Sequence, residues 1–378
     1  MTKIIIHQLS LTGIGGVQQS FVPYFQKALK DSEYKHLVYG MHELDENYND
    51  ISEYYTNINK SIWNKLKFIY FLYSSKYIVH FYNNLASKKV YRLLKYIPSN
   101  SIIFHERGAS WNAKDEDKII FQNNTSKATI VLANSNASKI MLVKRFGIDE
   151  KKIQVIYNGF LSKDNEYDPN DTKRYSEKFS IGYIGRLDTP KGVHVLIKSA
   201  TKLKQYDFFI AGDGVWKDML MDQAKGYENI KFVGRVKEPL DFIDKMDIIV
   251  VPSIREPLGN IIIEAGFCKK AVIASNVDGI AEIIENGVSG VLLEPKKEIT
   301  IKYLPRNAIP MPKVVVNPLK NKLTTPKEVD SNELCIAIVA LDKNKEKKEM
   351  YGEALCATVN KKFTIENYFK NLEKVYDL

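Results

Sequence analysis

The sequence predicts an α/β protein with two domains, each built on a parallel β-sheet. In the second half, short apolar segments from 179–184 to 290–293 alternate with segments of helix length. Repeated strand–helix–strand units predict parallel strands covered by helices on both faces. In the first half, a strand over 3–10 is followed by a glycine loop and a helix over 17–29. The chain has 378 residues, too many for one ordinary core.

The composition favours a folded protein that works in a reducing compartment. Hydrophobic residues make up 44% of the chain and charged residues 26%, values typical of globular proteins. The three cysteines are widely spaced and form neither a disulfide framework nor a metal motif, which favours a cytoplasmic location. No run of apolar residues is long enough to span a membrane. The net charge of +10 suits a polyanionic neighbour, either anionic lipid or nucleic acid.

Changes in local composition predict the domain boundaries. We expect an N-terminal domain over 1–170, a polar linker over 162–176 and a C-terminal domain over 171–360. The proline-rich stretch 296–330 reads as an insertion, most simply a surface elaboration. A last helix within 361–378, capped by Thr364, is expected to cross back to the N-terminal domain.

The most informative stretch is 253–266, which follows the apolar strand 248–251. Glu256 lies in the loop, and Glu264 lies about one turn inside the helix that opens near Asn260. A helix N-terminus attracts an anion such as phosphate, and neighbouring carboxylates accept hydrogen bonds from hydroxyls. An anion and several hydroxyls in one ligand describe a nucleotide sugar.

A second loop supplies positive charge. Arg186 and Lys191 flank a turn with Pro190 at the carboxyl end of the strand 179–184. A planar guanidinium and a lysine ammonium together suit a diphosphate. The competing interpretation is that two basic residues on a loop are ordinary solvent-exposed charges. Further strand-end turns at 211–214 and 234–236 contain Gly214, Arg235 and Val236 and predict contacts with a planar base, although ordinary turns explain each alone. Gly185 precedes Arg186 in the basic loop.

The first half offers weaker site signals. Gly15 and Gly16 allow close backbone approach to phosphate, but Gln18 stands where the dinucleotide fingerprint needs a third glycine. His105 and Asn158 follow predicted strands, where polar residues face the ligand crevice of an open sheet. The Asp-Glu-Asp run at 115–117 matches a metal-binding pattern formally, but helix-start charge explains it better.

Residues 62–96 combine aromatic and basic side chains on two predicted helices around the strand 77–81. Trp63 and the following apolar residues alternate with Lys65, Lys67, Lys88 and Lys89. Such helices suit an interfacial membrane surface, and an ordinary solvated lysine face is the competing interpretation.

These motifs, in this order, resemble the retaining glycosyltransferases of family 4, which have the GT-B fold. The resemblance covers about residues 10–295 and rests mainly on Glu256 and Glu264 with Arg186 and Lys191 upstream. It implies two Rossmann-like domains whose parallel sheets face across a donor-binding cleft. His105-Glu106-Arg107 departs from the commonest form of the family's histidine motif, which leaves the sugar open.

The resemblance also implies roles. Arg186 and Lys191 would bind the donor diphosphate, Glu264 the ribose hydroxyls and Glu256 the sugar hydroxyls. Backbone amides of Leu258, Gly259, Asn260 and Ile261 would support sugar and phosphate. Gly16 would approach the phosphates and His105 the reacting carbon. Retention by front-face attack needs no side-chain base, no metal and no cofactor.

The predicted function is therefore transfer of a hexose-type sugar from a nucleotide donor to a lipid-linked, lipopolysaccharide or polysaccharide acceptor at the cytoplasmic face of the membrane. A UDP-sugar is favoured, and a GDP-sugar is the alternative. A 2-epimerase of the same fold, a nicotinamide-dependent oxidoreductase and a non-catalytic glycan-binding protein compete with it. The broken fingerprint disfavours the oxidoreductase, and scattered basic residues without a recognised module disfavour a nucleic-acid partner.

Overall fold

The computed structural model describes residues 3–13, 15–98, 101–161, 175–301 and 304–378. The chain forms two compact units, residues 1–161 with 363–378 and residues 162–362. The predicted boundary at residue 170 and most of the predicted linker lie outside the described residues.

The first unit is built on a parallel sheet with the strand order β3-β2-β1-β4-β5-β6-β7. Its strands in the described ranges are β1 (Ile4–Gln8), β2 (Lys35–Gly40), β3 (Tyr55–Asn57), β4 (Tyr77–Tyr82), β5 (Ile102–Glu106), β6 (Ile130–Ala133) and β7 (Ile153–Val155). Strands β1 and β4 are neighbours, with Ile6 opposite Val79. Because the chain runs outward in one direction from β1 and in the other from β4, a topological switch point lies between them. Strands β2 and β3 were not predicted.

Five helices of the first unit precede β7: α1 (Gly16–Asp31), α2 (Ile62–Tyr73), α3 (Lys88–Leu94), α4 (Lys118–Ser126) and α5 (Asn136–Phe146). Serine caps start three of them, since the side chains of Ser61, Ser87 and Ser135 accept backbone N–H bonds at α2, α3 and α5. Residues 115–117 form a short turn before α4, in which Asp115 pairs with Arg145 at 2.9 Å.

The second unit has a parallel sheet with the order β10-β9-β8-β11-β12-β13. Its strands are β8 (Ser180–Ile184), β9 (Asp207–Ala211), β10 (Ile230–Gly234), β11 (Ile248–Val251), β12 (Ala271–Ser275) and β13 (Val291–Leu293). The helices are α6 (Val193–Ala200), α7 (Lys217–Gln223), α8 (Pro239–Asp244), α9 (Asn260–Phe267), α10 (Ser331–Lys343) and α11 (Lys345–Lys362). The regular alternation predicted from the sequence is confirmed. Between β12 and β13, however, the described chain has only the 3₁₀ turn Asp278–Glu282.

The predicted insertion contains an antiparallel hairpin of β14 (Val315–Asn317) and β15 (Lys322–Thr324). Val315 and Val316 are buried, and an isolated bridge joins Lys297 to Glu328. The insertion is therefore packed against the second unit, and part of its apolar content joins the core.

The final helix α12 (Ile365–Tyr376) belongs to the first unit. Thr364 accepts a bond from the backbone of Asn367 at 3.2 Å, which confirms the predicted cap. Tyr368 and Tyr376 are buried in one cluster with Phe21 and Tyr24 of α1. Among the described residues, no helix is both long enough and apolar enough to cross a membrane.

Candidate active site

The second unit brings Lys191 and Glu256 together at its topological switch point. Strands β8 and β11 are neighbours, while the chain continues from β8 to β9 on the other side. The loop after β8 carries Lys191, and the loop after β11 carries Glu256. The Lys191 ammonium lies 2.6 Å from Glu256 Oε2. Ligands bind at the carboxyl ends of parallel strands where the strand order reverses, so this pair marks the expected crevice.

Backbone contacts hold the two loops against each other. The N–H groups of Ile254 and Arg255 both donate to the Pro190 carbonyl, at 2.9 and 3.2 Å. Gly192 has a φ of +65°, and a Cβ there would lie 2.0 Å from the Pro252 carbonyl oxygen. Only glycine satisfies both the left-handed backbone and this close approach. The position of Lys191 therefore depends on the β11 loop.

The Glu256 carboxylate is mostly buried, with 10% of its side chain exposed. Its Oε2 accepts a hydrogen bond from Ser253 Oγ at 3.1 Å as well as from Lys191. Its backbone N–H donates to Asp278 Oδ2 at 2.9 Å. The carboxylate is thus fixed in place before any ligand arrives, which reduces the ordering cost of binding.

Arg186 differs from Lys191 because its side chain is exposed. No ion pair or side-chain hydrogen bond is formed by its guanidinium within the described ranges; only its carbonyl accepts a bond, from Tyr183. An arginine fork with no protein partner at a strand end can bind an anion through two parallel hydrogen bonds.

Arg255 is a charged residue of this region that the sequence did not single out. It is 6% exposed, and burial lowers the pKa of its guanidinium, while the charges of Glu256 and Asp278 oppose that shift. A buried cation directly before Glu256 raises the positive potential around the loop. The only sequence signal was its position next to Glu256 after a buried strand.

Glu264 lies on α9 and is half-buried. Desolvation by burial raises the pKa of its carboxyl group to about 7. The helix begins after Gly259, which has a φ of +106° and supplies no side-chain cap. Leu258 is buried, whereas Asn260 and Ile261 are partly exposed in the first turn. The predicted helix start near Asn260 is confirmed.

The remaining predicted residues of this unit lie on neighbouring strand-end turns. The Gly185 N–H donates to the Ala211 carbonyl at 3.1 Å, which joins the turns after β8 and β9. A Cβ on Gly214 would lie 2.3 Å from the Leu187 carbonyl oxygen. Arg235, with 82% of its side chain exposed, pairs with Asp213 at 3.3 Å, and Val236 is partly exposed beside it.

In the first unit, Arg107 links two of the predicted site residues. Its guanidinium donates to Asn158 Oδ1 at 2.8 Å and to the Gly16 carbonyl at 3.4 Å. Gly15 is the N-cap of α1, and Gly16 is its first residue. The buried guanidinium thus joins the start of α1 to the segment after β7. The signal for Arg107 in the sequence was its place two residues after His105.

His105 is buried at the end of β5 and stacks on His80 with ring centroids 5.4 Å apart. Neither of its ring nitrogens has a hydrogen-bond partner in the described part of the chain. Burial, and secondarily the charge of Arg107, lower the pKa of His105 well below its ordinary value. The imidazole is therefore neutral, with one N–H and one lone pair that are buried without a partner among the described residues.

A cavity of about 280 Å³ lies at the switch point of the first sheet. Its walls are Gln8, Leu9, Ser10, Val17, Gln18, Met41, His42, Tyr82, Asn83 and Asn84. No carboxylate, lysine or arginine is among these lining residues. Side-chain amides offer both donors and acceptors, so the cavity suits a neutral ligand with hydroxyl groups.

Comparison with known proteins finds a family model that covers the loops of Lys191 and Glu256. A family model described as glycosyl transferases group 1 matches residues 164–303. An uncharacterized glycosyltransferase of Methanocaldococcus jannaschii is 28% identical over 79% of this chain and 86% of its own length. A capsular polysaccharide biosynthesis glycosyltransferase of Staphylococcus aureus is 27% identical over 47% of this chain and 45% of its own. For that relative and others like it, the chain spans about half of the relative's length.

Among solved structures, HepE of Anabaena in complex with UDP and glucose has a TM-score of 0.76 and 19% identity. The likeness covers 98% of this chain and 99% of that one. At this identity it shows the fold, two α/β domains with parallel sheets in the GT-B arrangement.

Proposed function

We propose that this chain is a retaining glycosyltransferase, because its residues 164–303 match the family model of glycosyl transferases group 1. It transfers a hexose-type sugar from a UDP-sugar to a glycan or glycolipid acceptor. The observation that carries the proposal is the Lys191–Glu256 pair at the switch point of the second sheet, with the exposed Arg186 on the same loop as Lys191.

In this proposal Arg186 and Lys191 bind the donor diphosphate. A diphosphate competes with Glu256 for the Lys191 ammonium, so the carboxylate becomes available to accept hydrogen bonds from the sugar hydroxyls. Cationic side chains that neutralise the departing diphosphate lower the barrier electrostatically, and the proposal assigns no metal to the step. Glu264 takes the ribose hydroxyls, and the first turn of α9 supports the phosphate through its amides.

In this proposal the nucleotide base of the donor contacts the turns at the ends of strands that contain Gly185, Gly214, Arg235 and Val236. Support for a uridine donor comes from HepE, a protein of the same fold that binds UDP. Because glycine has no side chain, a turn that contains it allows the backbone to contact a planar ring.

The first unit supplies the acceptor side of the proposal. The amide-lined cavity at the end of β1 and β4 suits the hydroxyls of a neutral sugar. In this proposal the neutral imidazole of His105 contacts the donor sugar near the reacting carbon, for which its buried and unpartnered ring nitrogens must become accessible. Attack occurs on the face from which UDP leaves, and a phosphate oxygen of the donor takes the acceptor proton. No side-chain base is assigned.

We further propose that helices α2 and α3 rest on an anionic membrane, where a lipid-linked acceptor would lie. Residues 54–105 contain eight lysines and arginines and no aspartate or glutamate. The eight, all exposed, are Lys60, Lys65, Lys67, Lys76, Lys88, Lys89, Arg92 and Lys95. Among them stand the exposed apolar side chains of Ile62, Trp63, Leu66, Tyr70, Tyr73 and Tyr96. Basic residues around exposed aromatic groups bind the interface of an anionic bilayer.

The donor site is tested by calorimetric titration with UDP. The double variant Arg186→Ala/Lys191→Ala loses two charge-assisted contacts and leaves Glu256 unpaired, so we expect Kd to rise about 100-fold. The control variant Lys198→Ala/Lys225→Ala removes two exposed lysines of the same unit and keeps the wild-type Kd. UDP affinity that survives the first double change refutes the placement of the diphosphate.

The membrane surface is tested by sedimentation with vesicles of phosphatidylglycerol and phosphatidylcholine. Changing Lys65, Lys67, Lys88 and Lys89 to Glu should lower partitioning at least about 100-fold, because each basic residue near such a surface contributes about 1 kcal/mol. The control changes four exposed lysines elsewhere to Glu, at 225, 237, 320 and 343, and so has the same net charge.

Tryptophan fluorescence gives a second reading of the same contact. Trp63 is 76% exposed, whereas Trp111 and Trp216 are buried. A blue shift of the tryptophan emission on vesicle binding therefore indicates that Trp63 enters the bilayer interface, and Trp63→Phe should abolish the shift. Equal partitioning of the wild type and the 65/67/88/89 variant would remove the membrane contact and leave the enzyme proposal standing.

A further inference from the structure

The insertion after β13 contacts the two loops that carry Lys191 and Glu256. The Ile309 N–H donates to Asp188 Oδ1 at 3.1 Å. The Val316 N–H, in strand β14, donates to Asp278 Oδ1 at 2.7 Å. Both aspartates are buried, with exposed fractions of 8% and 1%. The insertion is therefore hydrogen-bonded to the loops at the carboxyl ends of the strands, where Lys191 and Glu256 lie. The sequence predicts a surface elaboration instead.

Each of these carboxylates also holds the backbone of a site loop. Asp188 is the N-cap of the turn Thr189–Lys191, and its Oδ1 accepts the Thr189 N–H at 2.8 Å. Asp278 Oδ2 accepts the Glu256 N–H at 2.9 Å. One aspartate thus connects the insertion to the Lys191 loop, and the other connects it to the Glu256 loop.

Asp278 has the chemistry that such a connection requires. Its φ of +49° lies in the left-handed region, which aspartate tolerates better than most non-glycine residues. Its two carboxylate oxygens accept from two backbone N–H groups that belong to different segments. Asparagine has one acceptor oxygen and cannot serve both.

We propose that the insertion is a positioning element for the donor site, in which Asp278 and Asp188 fix the loops of Glu256 and Lys191. Asp278 is the main positioning residue, because its bond reaches the backbone of Glu256 itself. The inference rests on the proposed function, since it assigns these loops to a nucleotide-sugar donor.

Two variants test the connection from its two ends. Asp278→Asn keeps the shape of the side chain and removes one acceptor. Val316→Pro keeps Asp278 and removes the backbone N–H of residue 316. Because this N–H donates to Asp278, it is not one of the hydrogen bonds that join β14 to β15. We expect the Kd for UDP-glucose to rise about tenfold in each. Because both changes break the connection from Val316 to Glu256 through residue 278, the double variant should be little weaker than either single one.

The matched control is Asp247→Asn. Asp247 also accepts a backbone bond, from Ser180 N at 2.9 Å, and pairs with Lys348 at 3.1 Å. It lies at the amino ends of β8 and β11, at the opposite edge of the sheet from the site. We expect this variant to lower Tm about as much as Asp278→Asn does, with an unchanged Kd for UDP-glucose.

A purely structural role predicts a lower Tm without a change in Kd. If Asp278→Asn and Val316→Pro both bind UDP-glucose within twofold of the wild type, the positioning role is overturned and the proposed function stands. If the wild type itself binds no UDP-glucose, the proposed function fails, and the positioning role fails with it. Should Asp278→Asn not fold, Val316→Pro and Asp188→Ala decide the question by the same measurement.

Discussion

In the proposed donor site, we expect the carboxyl group of Glu264 to make donor binding sensitive to pH near neutrality. Burial raises its pKa from 4.5 to about 7, which corresponds to about 3 kcal/mol against the ionised form. At pH 8 about nine-tenths of the protein carries the carboxylate, and at pH 6 about one-tenth does. If the ribose hydroxyls need the ionised group as acceptor, the Kd for the donor at pH 6 exceeds that at pH 8 by about tenfold.

Calorimetric titration with UDP-glucose at several pH values measures this change in Kd. UDP-glucose is preferred to UDP because the terminal phosphate of UDP itself titrates between pH 6 and pH 8, whereas neither phosphate of UDP-glucose does. The control Glu264→Gln keeps an acceptor oxygen and has no titration, so its Kd should be flat between pH 6 and pH 8. Identical pH profiles for the wild type and Glu264→Gln would refute the assignment of Glu264 to the ribose.

Stability gives an independent check with a defined sign. The folded state binds the Glu264 proton more tightly than the unfolded state does, so its contribution is fully present below pH 4.5 and is lost as pH rises through 7. The free energy of unfolding of the wild type relative to Glu264→Gln should therefore fall by up to about 3 kcal/mol over this interval. Urea unfolding at several pH values measures the difference.

Two further predictions concern glycines at close backbone contacts. Gly192→Ala places a Cβ 2.0 Å from the Pro252 carbonyl oxygen, so it should lower the free energy of unfolding by at least about 2 kcal/mol and weaken UDP binding. Gly226 is the control, because it has a similar φ of +84° but open space around it. Gly226→Ala should lower the free energy of unfolding by about 1 kcal/mol and leave UDP binding unchanged. Gly159→Ala places a Cβ 2.5 Å from Tyr368 Cβ and should cost about 2 kcal/mol by displacing α12 in the first unit, with little effect on UDP affinity. Urea unfolding and UDP titration check both, and equal losses in Gly192→Ala and Gly226→Ala would refute the steric argument.

The sequence was sufficient for the parts of the fold that follow from local pattern. Continuous apolar runs such as 248–251 and 271–275 predict buried parallel strands, and β11 and β12 occupy these positions. Strand β2 was not predicted because Lys35–Gly40 begins with two polar residues and its apolar run is only three residues long. Strand β3, three residues long, carries too little pattern to detect.

The sequence could place Arg186, Lys191 and Glu256 in loops that follow strands and Glu264 on the helix after them, whereas their roles at a donor site stay predictions. The site was not predictable where the role of a residue depends on contacts between distant segments. The ion pair of Lys191 and Glu256 joins residues 65 positions apart. The bond from Arg107 to Asn158 joins residues 51 positions apart. Spacing along the chain contains no information about such pairs.

In the proposed donor site, we expect the Lys191–Glu256 pair also to determine the order in which parts of the donor bind. While it is intact, the lysine charge is neutralised and the carboxylate has one oxygen already hydrogen-bonded to Ser253. A diphosphate that binds Arg186 first, where the guanidinium is exposed, can then take the lysine, because two phosphate charges attract the ammonium more strongly than one carboxylate does. The freed carboxylate is suited to the hydroxyls of a sugar attached to that diphosphate. A free sugar leaves the pair closed. The pair therefore favours the whole nucleotide sugar over its parts.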